Sequence, residues 1–211
     1  MTAASHTLAS MAGTTLILMR HPQTVWNAES RLMSRTDLGL SAKGIGQAQD
    51  RVSLIRSFDV DSIVSSPLLR CVQAARVIAD ELGLAVAVMD ELREADFGDF
   101  EGMTPAELSQ GTKSDAYAAW RDPRSESLGP PNGESWDQLG QRADRALETL
   151  AAQHAGCRVL VVSHGYFIRA LIVRSLFAAP AAQLRRFDVD NASLSVLSNG
   201  DGYWKLQRHN Y

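Results

Sequence analysis

Short β-branched and aliphatic runs alternate with helix-patterned segments along most of this chain, and that alternation constrains the fold more than any other property of the sequence. TTLILM (14–19) is apolar without a polar alternate, as suits a strand buried on both faces. The segment beyond its loop, SAKGIGQAQDRVSLIRS, repeats Ile45, Ala48, Val52 and Ile55 at spacings of 3 and 4, the stripe of an amphipathic helix. SIVSS (62–66) is a second strand. A helix is predicted after it, with Ser66 as N-cap, Pro67 at the first helical position and Gly83 as its stop. LAVAVM (84–89) is a third strand, and Thr104, Pro105 and Glu107 open a short helix through a capping box. A loop bearing proline and glycine (121–135) leads to a second capping box, Ser135 with Gln138, and a long helix with Trp136, Leu139, Ala143, Leu147 and Leu150 on its apolar face. RVLVVS (158–163) is a fourth strand, followed by a helix, YFIRALIVRSLF, halted before Pro180. The remaining segment reads as two strands about the Asn-Gly and Asp-Gly steps of 199–202.

Strand and helix in this order predict an α/β three-layer sandwich, with a mostly parallel central sheet and helices on both faces. At 211 residues, 45% of them hydrophobic, the chain suits one sizeable core, so residues 14–211 are expected to form a single domain behind a loose tail, 1–13. The net charge of −3, without a basic stripe, argues against a nucleic-acid partner. Cys71 and Cys157 lie far apart and outside any CxxC pattern, so neither a disulfide framework nor a zinc site is expected, and a reducing cytoplasm suits the chain best. No apolar run approaches the roughly 20 residues that span a bilayer, and the first residues lack the charge and apolar core of a signal peptide. Oligomeric state is left open between monomer and dimer.

Sheets of this kind bind ligands at the carboxyl ends of their strands. Three strand exits would meet there: Arg20-His21 after the first, Ser65-Ser66-Pro67 with Arg70 after the second, and Ser163-His164-Gly165 after the fourth. Two arginines and two histidines in one crevice of an acidic protein suit a dianion, because the guanidinium fork matches phosphoryl oxygens and helix N-termini supply N–H donors. GxxxxGK[ST], HExxH, HxH and paired-aspartate signatures are all absent, which leaves covalent catalysis by a side chain, histidine being one of those able to do it.

RHPQTVWN, SSPLLRCVQAA, LREADFGDFEG, PNGES and VSHGYFIRAL, in this order, resemble the five blocks of the histidine phosphatase superfamily, the phosphoglycerate-mutase-like proteins, over residues 14 to about 200. The resemblance implies a phosphoric monoester hydrolase needing no metal and no cofactor and acting on a small phosphomonoester. His21 would be the nucleophile that accepts the phosphoryl group, Glu94 the general acid, and Arg20, Asn27, Arg70 and His164 the phosphate ligands, with Thr24 and Gly165 also at the substrate site. To protonate a leaving oxygen, Glu94 would need partial burial or an acidic neighbour such as Asp96, and an activity optimum below neutrality follows. Two positions depart from the family pattern. Pro22 and Tyr166 replace common glycines, and proline removes an N–H while keeping the carbonyl that would orient the His21 ring.

Other readings remain open. The phosphoenzyme could return its phosphoryl group to a bound acid, as a mutase does, although residues 102–134 lack the longer basic insertion of such enzymes. A non-catalytic phosphate-binding module is the further alternative. Trp26, Met33, Phe97, Tyr117 and Trp120 read as core more readily than as a substrate floor. Arg31 and Arg35 read as idle surface charges or as ligands for a second anionic group. Glu134 belongs either to the phosphate-site network or to a helix N-terminus. His6, His154 and His209 suggest no role.

Overall fold

Leu16, Ile17, Leu18 and Met19 are all buried, as the unalternated run requires, and the strand that carries them runs through the interior of one sheet. The computed structural model describes residues 13–122, 128–177, 181–200 and 202–211. Within these, β1 (Thr14–Arg20), β2 (Ser62–Ser65), β3 (Val86–Val88), β4 (Arg158–Ser163), β5 (Leu194–Asn199) and β6 (Lys205–Arg208) lie in the order β3-β2-β4-β1-β5-β6. β3, β2, β4 and β1 are mutually parallel, while β5 runs antiparallel to both β1 and β6. The sheet is therefore mixed, with a parallel majority.

Its helices are α1 (Val25–Ala28), α2 (Ala42–Arg56), α3 (Leu69–Leu82), α4 (Pro105–Gln110), α5 (Ser114–Arg121), α6 (Trp136–Gln153) and α7 (Gly165–Phe177). Successive strand residues face opposite ways, and the core splits accordingly. Leu16 and Leu18 join Val159 and Val161 beneath α6 and α7, whereas Ile17 and Met19 join Leu160 and Val162 beneath α2 and α3. This is the expected three-layer arrangement, and each fully buried aliphatic side chain in it contributes roughly 1.5–3 kcal/mol. Both predicted capping boxes form, at Thr104 and Ser135, and Gly83 ends α3 in the left-handed conformation.

The start of α3 differs from expectation. Ser66 is not its N-cap; the helix begins at Leu69 after Leu68, which has no capping side chain. Ser66 Oγ lies 2.8 Å from His164 Nε2, and Asp37 Oδ1 accepts from Leu69 N at 2.6 Å, so the cap comes from a distant loop and frees the serine for the site. The short helices α1 and α5 were not predicted; each is too brief for periodicity to register, although Tyr117 and Trp120 of α5 are both buried. The tail at 1–12, the stop at 178–180, residues 123–127 of the long loop and Asp201 of the last turn fall outside the described residues. Among the described residues, no helix is long and apolar enough to cross a membrane.

Strand register places the site. Arg20 pairs with Ser163 and Ser65 with Val162, and the ladder runs one step further, from His21 N to Ser163 O at 2.8 Å and from Ser66 N to Val162 O at 2.9 Å. The predicted strand exits therefore share one edge.

Candidate active site

His21 Nδ1 lies 2.7 Å from the carbonyl oxygen of Pro22. A carbonyl can only accept, so Nδ1 carries the proton and Nε2 keeps its lone pair. Burial, reinforced by the Arg70 and Arg20 cations, holds the His21 pKa well below its ordinary value of 6.5. The ring is thus neutral and oriented, with a free lone pair on Nε2. Proline at 22 is compatible with this because the orienting bond uses its carbonyl and not an N–H.

Behind this ring stand Arg70 and His164, both fully buried. Arg70 Nη1 donates to Thr36 O at 3.1 Å, Nη2 to Ser34 O at 2.9 Å, and Nε to His164 Nδ1 at 3.3 Å. Because that guanidinium can only donate, His164 carries its proton on Nε2 and gives it to Ser66 Oγ. Burial and the Arg70 charge keep His164 neutral as well. Its ring meets that of His21 edge-on, with centroids 5.2 Å apart. Cys71 Sγ lies 3.4 Å from His164 Nε2, but burial pushes its thiol up to about 12, so it is a packed neighbour and no rival nucleophile.

Glu94 faces the site from a loop. Its Oε1 accepts from Ala95 N at 2.9 Å and Phe167 N at 3.0 Å, and its Oε2 from Tyr166 N at 3.2 Å, so the first turn of α7 receives the carboxylate. Asp96 is not the acidic neighbour expected for it: that carboxylate pairs with Arg35 Nε at 3.1 Å and accepts from Gly98 N at 2.9 Å. Glu134 is 12% exposed and binds Arg142, also 12% exposed, whose guanidinium donates to the carbonyls of Glu91, Arg93 and Glu94. Dipole compensation alone therefore does not account for Glu134.

His21 and Glu94 line one cavity of about 90 Å³. Pockets that engulf a whole small ligand start near roughly 300 Å³, so this one suits a reacting group and not an entire metabolite. Arg20, Asn27 and Gly165 also line it, as expected, whereas Thr24, Arg70 and His164 do not. Thr24 is instead the fully buried N-cap of α1, with its N and Oγ1 both 3.0 Å from Asn27 Oδ1. Its contribution to the site is to orient Asn27. Arg20 donates Nη1 to Val189 O at 2.7 Å, yet its Nε is buried with no hydrogen-bond partner. A Cβ on Gly165 would sit 3.3 Å from that nitrogen, so glycine keeps the approach clear.

Several residues at the site carry no sequence motif that announces them. Asn191 Nδ2 donates to His21 O at 3.0 Å and to Asn27 Oδ1 at 3.2 Å, which leaves Asn27 its own amide donor for the cavity. Arg169 lines the cavity one helical turn beyond Gly165, a spacing that could have flagged it, and lies 4.3 Å over the Tyr166 ring. Arg31 lines the cavity too, but Glu29 at 2.9 Å and Glu107 at 3.2 Å already balance its charge. Arg35 is elsewhere, on Asp96. Met33, Phe97 and Tyr166 contribute apolar lining, while Trp120 stacks on Trp136 and Tyr166 as core. His154 meets Ser62 Oγ and His209 meets Ser195 Oγ, each at 3.1 Å, away from the cavity. Among the described residues, no cluster of three His, Cys, Asp or Glu side chains is disposed to hold a metal ion.

Comparison with known proteins bears on this geometry. The profile of the histidine phosphatase superfamily (branch 1) matches residues 16–211. The chain is 30% identical to the uncharacterized phosphatase PhoE of Bacillus subtilis over 93% of its own length and 94% of that protein's. It is 33% identical to the probable phosphoglycerate mutase GpmB of Yersinia pestis over 89% of its length and 86% of that protein's. A mycobacterial glucosyl-3-phosphoglycerate phosphatase solved with VO3 superposes with a TM-score of 0.83 at 30% identity, covering 93% of this chain and 98% of that one.

Proposed function

The chain belongs to the histidine phosphatase superfamily, and on that footing we propose that it hydrolyses a small phosphomonoester without a metal ion, through a phosphohistidine on His21. One observation carries the reading. His21, a neutral imidazole with a free Nε2, Arg20, whose guanidinium keeps a buried N–H without a partner, and the carboxyl group of Glu94 all line the same small cavity. A phosphoryl group supplies what each lacks: an electrophilic phosphorus, an anionic acceptor oxygen and a leaving oxygen that needs a proton.

The steps follow from the contacts. His21 Nε2 attacks phosphorus as the P–O bond to the leaving group breaks, and protonated Glu94 gives its proton to the departing oxygen, releasing an alcohol. Charge that builds on the imidazole is shared through Nδ1–H with the Pro22 carbonyl, while Arg20 and Asn27 donate to the phosphoryl oxygens. Arg70 does not line the cavity, and any contact it makes with the phosphoryl group would use the two Nη N–H groups left over by its bonds to Thr36 O, Ser34 O and His164 Nδ1, while His164 acts through Arg70. Water then attacks the phosphohistidine, Glu94 takes its proton, and inorganic phosphate leaves.

The test follows phosphate release from a panel of phosphomonoesters in EDTA, alongside conversion of 3-phosphoglycerate to its 2-isomer. Release that persists in chelator and falls in His21→Ala by on the order of 10⁴-fold or more is the expected result. Isomer formed without phosphate would replace hydrolysis by the mutase reaction, consistent with the similarity to the Yersinia protein. Retained phosphate binding with no turnover of any substrate would make the chain a binding module.

A further inference from the structure

Glu94 lies on an irregular stretch between the single turns Asp90–Leu92 and Gly98–Phe100, where no strand register fixes it. Resting on the reading of Glu94 as general acid, we propose that Glu134 and Arg142 form a positioning pair that presents the Glu94 carboxyl to the leaving oxygen. The arginine uses its whole fork for this purpose. Nη1 donates to Glu91 O at 2.7 Å and Arg93 O at 2.6 Å, and Nη2 donates to Glu94 O at 3.2 Å. Nε donates to Glu134 Oε1 at 2.8 Å and Nη2 also to Glu134 Oε2, so all of the five donors that a guanidinium possesses are engaged.

The pair reaches Glu94 from three sides. Arg142 holds the backbone before it and at it, and Glu134 Oε2 accepts from Asp96 N, two residues beyond, at 3.3 Å. The guanidinium face covers the Phe167 ring at 4.9 Å, and Phe167 N is a donor to the Glu94 carboxylate. No atom of either residue lines the cavity, so neither touches the reacting group. Their effect on turnover must pass through where Glu94 sits, and a misplacement of about 1 Å in such a group lowers the rate about 10²-fold.

Leaving-group dependence separates this role from support of the fold. In the acid step a P–O bond breaks and a proton moves from Glu94 to the departing oxygen; an alkoxide needs that proton, whereas a nitrophenolate departs without it. Arg142→Lys keeps a cation for Glu134 but lacks the planar fork. It is expected to lower kcat/KM, which reports phosphoenzyme formation and not the later hydrolysis in which Glu94 serves as base, about 10²-fold on glycerol phosphate and to leave kcat/KM on nitrophenyl phosphate near that of the parent. Glu94→Gln should show the same selectivity, more strongly, and Glu134→Gln repeats the comparison should the arginine variant fail to fold. Selective loss in Glu94→Gln beside equal loss on both substrates, or no loss, in the Arg142 and Glu134 variants would overturn the positioning role alone. Equal loss on both substrates in Glu94→Gln would remove the acid reading and the proposal with it.

Discussion

His21 stands at the exit of a strand whose register is fixed residue by residue, from Thr15 opposite Arg158 to Arg20 opposite Ser163, whereas Glu94 stands on a loop whose place is set by side chains. A slip in the first case would turn every core residue of β1 to the wrong face, so the proposed nucleophile is held by the whole sheet. In the second case one guanidinium and a few backbone contacts do the holding. The wall of the proposed nucleophile should therefore respond to mutation chiefly through folding, and that of the proposed acid through catalysis that depends on the leaving group.

The sharpest way to break that contrast is Arg70→Met, which keeps the bulk but strands the carbonyls of Ser34 and Thr36. A loss of about 3 kcal/mol is expected in urea unfolding, since each orphaned acceptor costs about 1–3 kcal/mol. A near-neutral result would mean that the sheet does not depend on its buried site residues. Acid titration comes next. His21 and His164 have depressed values in the fold while the unfolded chain protonates near 6.5, so the unfolded state binds more protons below that pH. Their contribution is complete above 6.5 and declines as pH falls, by up to about 1.4 kcal/mol per pH unit for each ring. Stability followed by thermal melting between pH 7 and 5 checks the sign, and His21→Phe should flatten the slope.

On the acid's wall, Gly133→Ala would place a Cβ 2.5 Å from Asp96 O and 3.0 Å from Gly98 N. The turn must shift, at about 2 kcal/mol, and glycerol phosphate turnover should fall more than nitrophenyl phosphate turnover. A drop equal on both substrates would erase the distinction between the walls. Smallest is Asn191→Ala, which removes the donor shared by His21 O and Asn27 Oδ1, for about 1 kcal/mol, read as a rise in KM.

The same contrast explains what could be read from residues alone. The positions of Arg20, His21, Ser163 and His164 at the strand exits are legible because an unalternated apolar run announces a buried strand and the residue after it announces the sheet edge. Ser66 was misread as a cap because local spacing cannot reveal that Asp37 would reach Leu69 N from another loop. Thr24 reads as a substrate residue because a four-residue helix that needs a cap leaves no periodicity to see. Asn191 and Arg142 carry no motif; their value lies in backbone carbonyls that only tertiary structure brings within reach. Glu134 is ambiguous in the sequence for the same reason, since its partner Arg142 is visible only in the fold.

One topological detail bears on how the protein comes into being. Strand β1 finds its two neighbours, β4 and β5, only around residues 158–199, and Arg20 and His21 take their ties to Val189 and Asn191 from 169 and 170 positions downstream. A ribosome adding roughly 5–20 residues per second needs on the order of ten seconds or more to make the intervening chain. Throughout that interval the segment Leu16–Met19 is an apolar strand with nothing to pair with, the kind of exposed edge that chaperones shield. Arg20 and His21 are thus made long before the residues that tie them in place, so completion of the site and completion of the fold should arrive together.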